Sequence, residues 1–66
     1  MMYLKINGET REYDNICLYN LLIFLKINPH RVAVELNGKI IPRAEFKTTH
    51  LKDSDSLEIV HFVGGG

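Results

Sequence analysis

An α+β fold is predicted, with one helix covering one face of a mixed sheet of four or five strands, and three features of the sequence predict it. Apolar and polar residues alternate in the strand period around Leu4 and Ile6, around Val32, Val34 and Leu36, and again from Leu57 to Val63. Two Asn-Gly dipeptides, Asn7-Gly8 and Asn37-Gly38, supply the positive φ angles of tight hairpin turns. A single stretch carries the helical period, with Leu18, Leu21, Leu22 and Leu25 at i, i+3, i+4 and i+7.

In chain order, Tyr3-Leu4-Lys5-Ile6 forms the first strand, and Asn7-Gly8 turns it into a second from about Glu9 to Tyr13. Asp14-Asn15 breaks that pattern and the helix follows. Asn28-Pro29 is expected to stop the helix, because a proline disfavours helical geometry in the residue before it. Val32 to Leu36 is the third strand, and Asn37-Gly38 turns it into Lys39-Ile40-Ile41, which Pro42 ends. Arg43 to Lys52 shows no sustained period and reads as an irregular crossing anchored in the core by Phe46 and Leu51. Asp53-Ser54-Asp55 then turns the chain into its last strand.

A helix that joins two hairpins must cover one face of a single small sheet. That is a β-grasp arrangement, whose usual topology lays the last strand beside the first, in parallel, at the centre of the sheet. The core-facing set is then Leu4, Ile6, Leu18, Leu21, Leu22, Leu25, Val32, Val34, Leu36, Ile41, Leu57 and Ile59. The open sheet face shows Tyr3, Lys5, Ala33, Glu35, Val60 and Phe62, by strand alternation. Ile23 and Phe24 fall on opposite flanks of the helix, away from its leucine stripe, and both are expected to be at least partly exposed. Tyr19, one turn before Ile23, can cover it; alternatively Tyr19, Ile23 and Ile27 form an apolar patch that self-associates or docks on a partner away from the tail.

A chain of 66 residues forms one domain. A domain of this size buries roughly 60% of its unfolded surface, which leaves little stability to spare for a deep catalytic cleft. Hydrophobic residues make up 45% and charged residues 24%, the balance of a folded protein rather than a disordered one. Eight basic residues offset eight acidic ones with no Lys/Arg cluster, which argues against nucleic acid as the partner. No apolar run approaches the ~20 residues that span a bilayer and no basic leader is visible, so no membrane partner is expected and a cytoplasmic location is. The single Cys17, beside Ile16 and Leu18, reads as a small buried hydrophobe. His30, His50 and His61 lack any paired ligand spacing, and no metal site is expected. Lys5, Lys39 and Lys52 read as solvated charge.

The end of the chain, His61-Phe62-Val63-Gly64-Gly65-Gly66, carries the chemistry. An apolar strand runs straight into three glycines without a linker. This divides the chain into a β-grasp domain over residues 1–63 and a flexible tail over residues 64–66. Glycines without Cβ make a strip of backbone thin enough to enter a narrow channel. A main-chain carboxylate at Gly66 is a poor electrophile, but an ATP-dependent enzyme can convert it to an acyl-adenylate, which a thiol, persulfide or amine can attack. The tail reads as a substrate, not a catalyst.

These residues resemble the ThiS family, the ubiquitin-like sulfur carriers of thiamine biosynthesis. The resemblance rests on Ile6-Asn7-Gly8-Glu9, on Arg31-Val32-Ala33-Val34-Glu35-Leu36-Asn37-Gly38 with Ile41-Pro42-Arg43, on Leu51-Lys52-Asp53, and on Ile59 to Gly66. It implies that an adenylating enzyme uses Mg-ATP to activate the Gly66 carboxylate, no cofactor being held permanently by the carrier. Sulfur from a cysteine desulfurase or other persulfide donor then replaces AMP to leave a thiocarboxylate. Thiazole synthase would use that sulfur to build the thiazole of thiamine. The partner surface is expected on the open sheet face beside the tail, with Val60 and Phe62 as apolar anchors, Ala33 leaving room for close approach, and Glu35 and Tyr3 nearby. Two other classes share the fold and tail: the small subunit of molybdopterin synthase and a ubiquitin-like protein modifier.

Three departures from the family pattern carry expectations. Cys17 and Asn20 stand where the family has a Thr and an acidic residue, so the helix cap should be weaker by ~1 kcal/mol or less. Lys26 stands where a helix-ending Gly is usual and should carry left-handed strain. Ile23 and Phe24 replace residues normally charged on the outer helix face. His61 belongs to the family ending and is expected to pack or hydrogen-bond near the root of the tail.

Overall fold

The computed structural model describes residues 1–62. The expectations placed on Val63, Gly64, Gly65 and Gly66, including the boundary between domain and tail, lie outside the described residues. The strands are β1 (Met2–Ile6), β2 (Glu9–Tyr13), β3 (Val32–Leu36), β4 (Lys39–Ile40) and β5 (Ser56–His61), with one helix, α1 (Leu18–Phe24), between β2 and β3. The five strands form one sheet in the order β2-β1-β5-β3-β4. β5 lies parallel to β1, with Ile6 opposite Leu57, and antiparallel to β3, with Val32 opposite His61. The last strand is therefore central, and this is the β-grasp topology.

Both Asn-Gly pairs form the expected turns, with φ of 48° and 86° at Asn7 and Gly8 and of 50° and 87° at Asn37 and Gly38. These angles are those of a type I′ turn, whose twist matches that of the flanking strands. One face of the sheet and the leucine stripe of α1 enclose the core. Leu4, Leu18, Leu21, Leu22, Val32, Val34, Leu57 and Ile59 are buried there, joined by Met2. Ile6, Leu25, Leu36 and Ile41 are only partly buried, packed at the margin of this cluster. Phe46 and Leu51 from the crossing are 2% and 3% exposed, so they act as the anchors expected of them.

Local detail departs from expectation in three places. The helix does not run to Asn28-Pro29. It ends at Phe24, and Lys26 turns left-handed with φ of 62°. The Lys26 N–H donates to the Ile23 carbonyl at 3.0 Å and the Ile27 N–H to the Leu22 carbonyl at 2.9 Å, the two bonds of a Schellman ending. The strain expected at Lys26 is present, and it sits where a glycine would relieve it. Asn28 and Pro29 instead open a short 3₁₀ turn, Pro29–Arg31, in which Asn28 Oδ1 accepts the His30 N–H at 2.9 Å.

At the other end of α1, Cys17 offers no side-chain cap, as the missing capping box implied. The crossing replaces it. The Leu18 N–H donates to the Thr49 carbonyl at 2.8 Å and the Tyr19 N–H to the Phe46 carbonyl at 3.0 Å. Two of the donors that a helix start leaves open are thus satisfied by a segment distant in sequence. That segment is also less irregular than expected, containing a 3₁₀ turn at Arg43–Glu45 and a bridge that pairs His50 with Cys17. The fourth strand is likewise shorter than read, since Ile41 lies past its end, although its N–H still donates to the Val34 carbonyl at 2.9 Å.

Candidate functional site

The site is built around the exit of β5. Period-two alternation sends Leu57 and Ile59 into the core and Glu58 and Val60 to the open face, so the strand that leads to the glycines is apolar on both sides near its end. Val60 and Phe62 are each 60% exposed, and Val60 lies directly opposite Ala33 on β3. The Phe62 N–H donates to the Arg31 carbonyl at 2.9 Å, which carries the pairing with the neighbouring chain one residue past the strand. Ala33 is partly buried and places only a methyl group beside Val60.

Glu35 lies opposite Glu58, one pair further from the exit on the same face. Like charges facing across a strand pair are mildly unfavourable. Here they add a small acidic area to an otherwise apolar surface. Ile40, opposite Glu35 and 65% exposed, extends the apolar part onto the edge strand. The strand pattern puts Ile41 in the core and assigns no role to Ile40. The signal was present in the same alternation, because an inward Ile41 requires an outward Ile40.

Tyr3 does not belong to this group. It is exposed, but its N–H donates to Asp53 Oδ1 at 2.7 Å and its carbonyl accepts the Ser54 N–H at 2.8 Å. The parallel register therefore sets Tyr3 level with Ser54, eight residues before Phe62, or roughly 26 Å along the strand direction at 3.3 Å per residue. A shared face did not mean a shared patch, because parallel strands put the start of β1 at the far end from the tail. His61, expected to pack or hydrogen-bond near the root of the tail, is exposed at the end of β5.

On the helix side, Ile23 and Phe24 are 49% and 68% exposed, as the stripe geometry predicts. The Phe24 ring meets the Tyr13 ring edge-on, with centroids 6.1 Å apart and planes at 84°, so Phe24 leans toward the β2 edge. Tyr19 packs at the core margin and carries the Lys47 ammonium 4.8 Å from its ring centre, while Ile27 is half-buried. Two shallow hollows flank the helix. One, of about 280 Å³, is lined by Glu12, Tyr13, Asp14, Asn15, Ile16 and Phe24, and the other, of about 290 Å³, by Tyr19, Pro29, His30, Arg43, Ala44 and Lys47. Neither has the enclosed apolar walls and convergent polar groups of a small-molecule site. Among the described residues no group of three or more His, Cys, Asp or Glu side chains is placed to hold a metal ion, and no helix is long and apolar enough to cross a membrane.

Comparison with known proteins agrees with this geometry. The sulfur carrier protein ThiS of Bacillus subtilis is 37% identical over 65 residues, covering 96% of this chain and 98% of that protein. A thiazole synthase of Paramagnetospirillum magneticum is 41% identical over 66 residues, and there the match spans 98% of this chain but only 20% of the relative. The crystal structure of the thiamine biosynthesis protein ThiS from Geobacter metallireducens superimposes with a TM-score of 0.84 at 38% identity, covering 98% of this chain and all of that one. Residues 4–66, which include the glycine tail, match the profile of the ThiS family, and the chain belongs to that family.

Proposed function

We propose that this protein is the sulfur carrier of thiamine thiazole formation and works as a cosubstrate rather than a catalyst. The observation that carries the reading is a central strand, held by β1 on one side and β3 on the other, that leads directly into Val63-Gly64-Gly65-Gly66. In this reading an adenylating enzyme uses Mg-ATP to form an acyl-adenylate at the Gly66 carboxylate and releases pyrophosphate. The terminal sulfur of a persulfide, on a cysteine desulfurase or another donor, displaces AMP to give an acyl disulfide, and a second thiol then reduces that disulfide, taking the donor's sulfur into a new disulfide and releasing a terminal thiocarboxylate. Thiazole synthase takes the sulfur from it. The occurrence of a matching segment within a thiazole synthase chain supports that last partnership, since two proteins that act on one sulfur gain from being joined.

The chemistry suits the design. Activation of a carboxylate requires the carbonyl to sit within reach of the α-phosphate, in a channel that excludes water. A domain that keeps its bulk outside and sends in three residues without side chains meets that requirement, because three residues reach about 10 Å at most. The docking surface on this reading is the exposed group Val60, Phe62 and Ile40 with the partly buried Ala33 among them, at the exit of β5, with Glu35 and Glu58 facing a basic group on the partner. Reconstitution with an adenylating enzyme, Mg-ATP, a persulfide donor and a thiol reductant, followed by intact-mass measurement, tests it. The expected product is heavier by the exchange of one oxygen for sulfur. A ladder of larger adducts would instead identify a conjugated modifier. An unchanged mass, with an enzyme and donor that convert another ThiS protein under the same conditions, would overturn the reading.

A further inference from the structure

The two Asn-Gly turns share a feature that the turn itself does not need. A type I′ turn accepts Asn, Asp or Gly at its first position, since each tolerates positive φ. In both turns, however, the asparagine side chain reaches across to β5. Asn7 Oδ1 accepts the Ile59 N–H at 2.6 Å, and Asn7 Nδ2 donates to the Ile59 carbonyl at 3.0 Å. Asn37 Oδ1 accepts the Ser56 N–H at 2.9 Å, and Asn37 Nδ2 donates to Asp55 Oδ1 at 2.9 Å. One asparagine thus holds the start of β5 and the other its approach to the tail.

The Asn7 contact extends the sheet. The residue pairing of β1 with β5 ends where Ile6 faces Leu57, and the Asn7 N–H makes the last backbone bond between them, to the Leu57 carbonyl at 2.9 Å. Beyond that point β1 turns away. A primary amide carries the same donor and acceptor as a peptide group. The Asn7 side chain therefore takes the place of the next rung, and β5 is held on its β1 side as far as Ile59 instead of Leu57. Ile59 lies three residues before Phe62 and seven before Gly66.

We infer that Asn7 is a positioning residue for activation of the tail: its side-chain amide fixes the direction in which the chain leaves the sheet, so that a docked domain delivers Gly66 to the adenylating site. This rests on the sulfur-carrier reading. Without the amide, Ile59 loses its partner on the β1 side while its pairing with Val34 on β3 is unaffected. The last residues of β5 then sample a wider range of directions, and a smaller fraction of docked complexes has the tail in place. Asn37 is a built-in control, with the same residue type, the same turn and a comparable bond to the same strand, at the end away from the tail.

The experiment compares Asn7→Gly with Asn37→Gly. Each keeps a turn of two residues that accept positive φ and removes only the side-chain bonds. Three readouts are needed: the melting temperature, the amide exchange rate of Ile59 in the free protein, and kcat/KM for ATP–pyrophosphate exchange with an adenylating enzyme that activates another ThiS protein. The expected result is a similar fall in melting temperature for both variants, at least tenfold faster exchange at Ile59 for Asn7→Gly alone, and at least a tenfold lower kcat/KM for Asn7→Gly than for Asn37→Gly. Equal pyrophosphate exchange by the two folded variants would overturn the inference. Should Asn7→Gly fail to fold, Asn7→Asp replaces it, since the carboxylate keeps the acceptor for the Ile59 N–H and lacks the donor for its carbonyl. Activation of Asn7→Asp equal to that of the unmodified chain would likewise refute a positioning role. Failure of the unmodified chain to be activated would count against the sulfur-carrier reading, and the Ile59 exchange rates would still show whether the clamp orders the strand.

Discussion

The last strand and the helix are held in opposite ways. β5 has a strand on each side and an asparagine clamp toward each end, so most of its backbone is fixed by direct partners. The helix has only seven residues, no side-chain cap at its start, and a strained lysine at its end. Isolated helices of that length do not persist in water, so α1 exists because Leu18, Leu21 and Leu22 are buried against the sheet. Order is concentrated in the strand that leads to the tail, and the helix serves as its cover.

The largest effect separates these two forms of support from the core they share. Leu57 on β5 and Leu22 on α1 are both fully buried, and truncation of either to alanine should cost about 2–5 kcal/mol. In a domain this small that is much of the total stability. If the contrast holds, the two variants differ locally. Leu22→Ala should speed amide exchange throughout α1 while β5 keeps its protection until global unfolding, and Leu57→Ala should lower protection everywhere. Uniform loss in both variants would mean that helix and strand unfold as one unit.

A smaller effect on stability with a larger one on binding is expected at the exit of β5. Phe62 is mostly exposed, so Phe62→Ser should change stability by no more than about 1 kcal/mol while, on the proposed sulfur-carrier reading, weakening binding to an adenylating enzyme at least tenfold. Tyr3→Ser provides the contrast, because Tyr3 lies at the other end of the sheet and its loss should leave binding unchanged. Equal weakening by both would mean that the interface runs the length of the open face.

Lys26→Gly should stabilise the protein. Lys26 holds φ of 62°, a conformation that costs an ordinary residue roughly 1 kcal/mol and glycine almost nothing. Part of that gain is lost to the greater freedom of glycine in the unfolded chain, so about 0.5 kcal/mol should remain. In a domain of this size that corresponds to a rise of a few degrees in melting temperature. A lower melting temperature would show that the Lys26 side chain makes a contribution larger than its backbone strain.

These contrasts also mark what could be read from the sequence. Strands, hairpins and core were legible because period-two alternation and Asn-Gly turns are local signals that agree with the sheet they form. Local signals set the helix end too late, because the leucine stripe continues to Leu25 and Pro29 is a visible stop, and only the family pattern pointed to Lys26, a lysine in a conformation few lysines adopt. The cap supplied by Phe46 and Thr49 was invisible, since it joins segments far apart in sequence. Tyr3 was grouped with Phe62 for the same reason: alternation tells which face a residue is on, and only strand register tells how far along it lies. The reach of Asn7 to Ile59 lies beyond sequence reasoning of this kind.

The smallest effect is expected on the outer flank of the helix. Ile23 is half-exposed and one turn from Tyr19. Ile23→Glu removes a little apolar contact with Tyr19 and puts a carboxylate in the last turn of a helix, where the dipole opposes it weakly. The sum should lie within about 0.5 kcal/mol, close to the limit of a denaturation experiment. Sedimentation gives the sharper reading. If Tyr19, Ile23 and Ile27 form a contact between copies, the unmodified protein dimerises with rising concentration and Ile23→Glu returns it to monomer, with activation of the tail unchanged because that flank lies across the helix from the sheet. A monomer at all concentrations before and after substitution would leave Tyr19 and its partner Lys47 as the cover of an ordinary helix surface. Unfolding of Ile23→Glu would show instead that the flank is packed more tightly than half-exposure allows, and the division between a well-held strand and a lightly held helix would have to be redrawn.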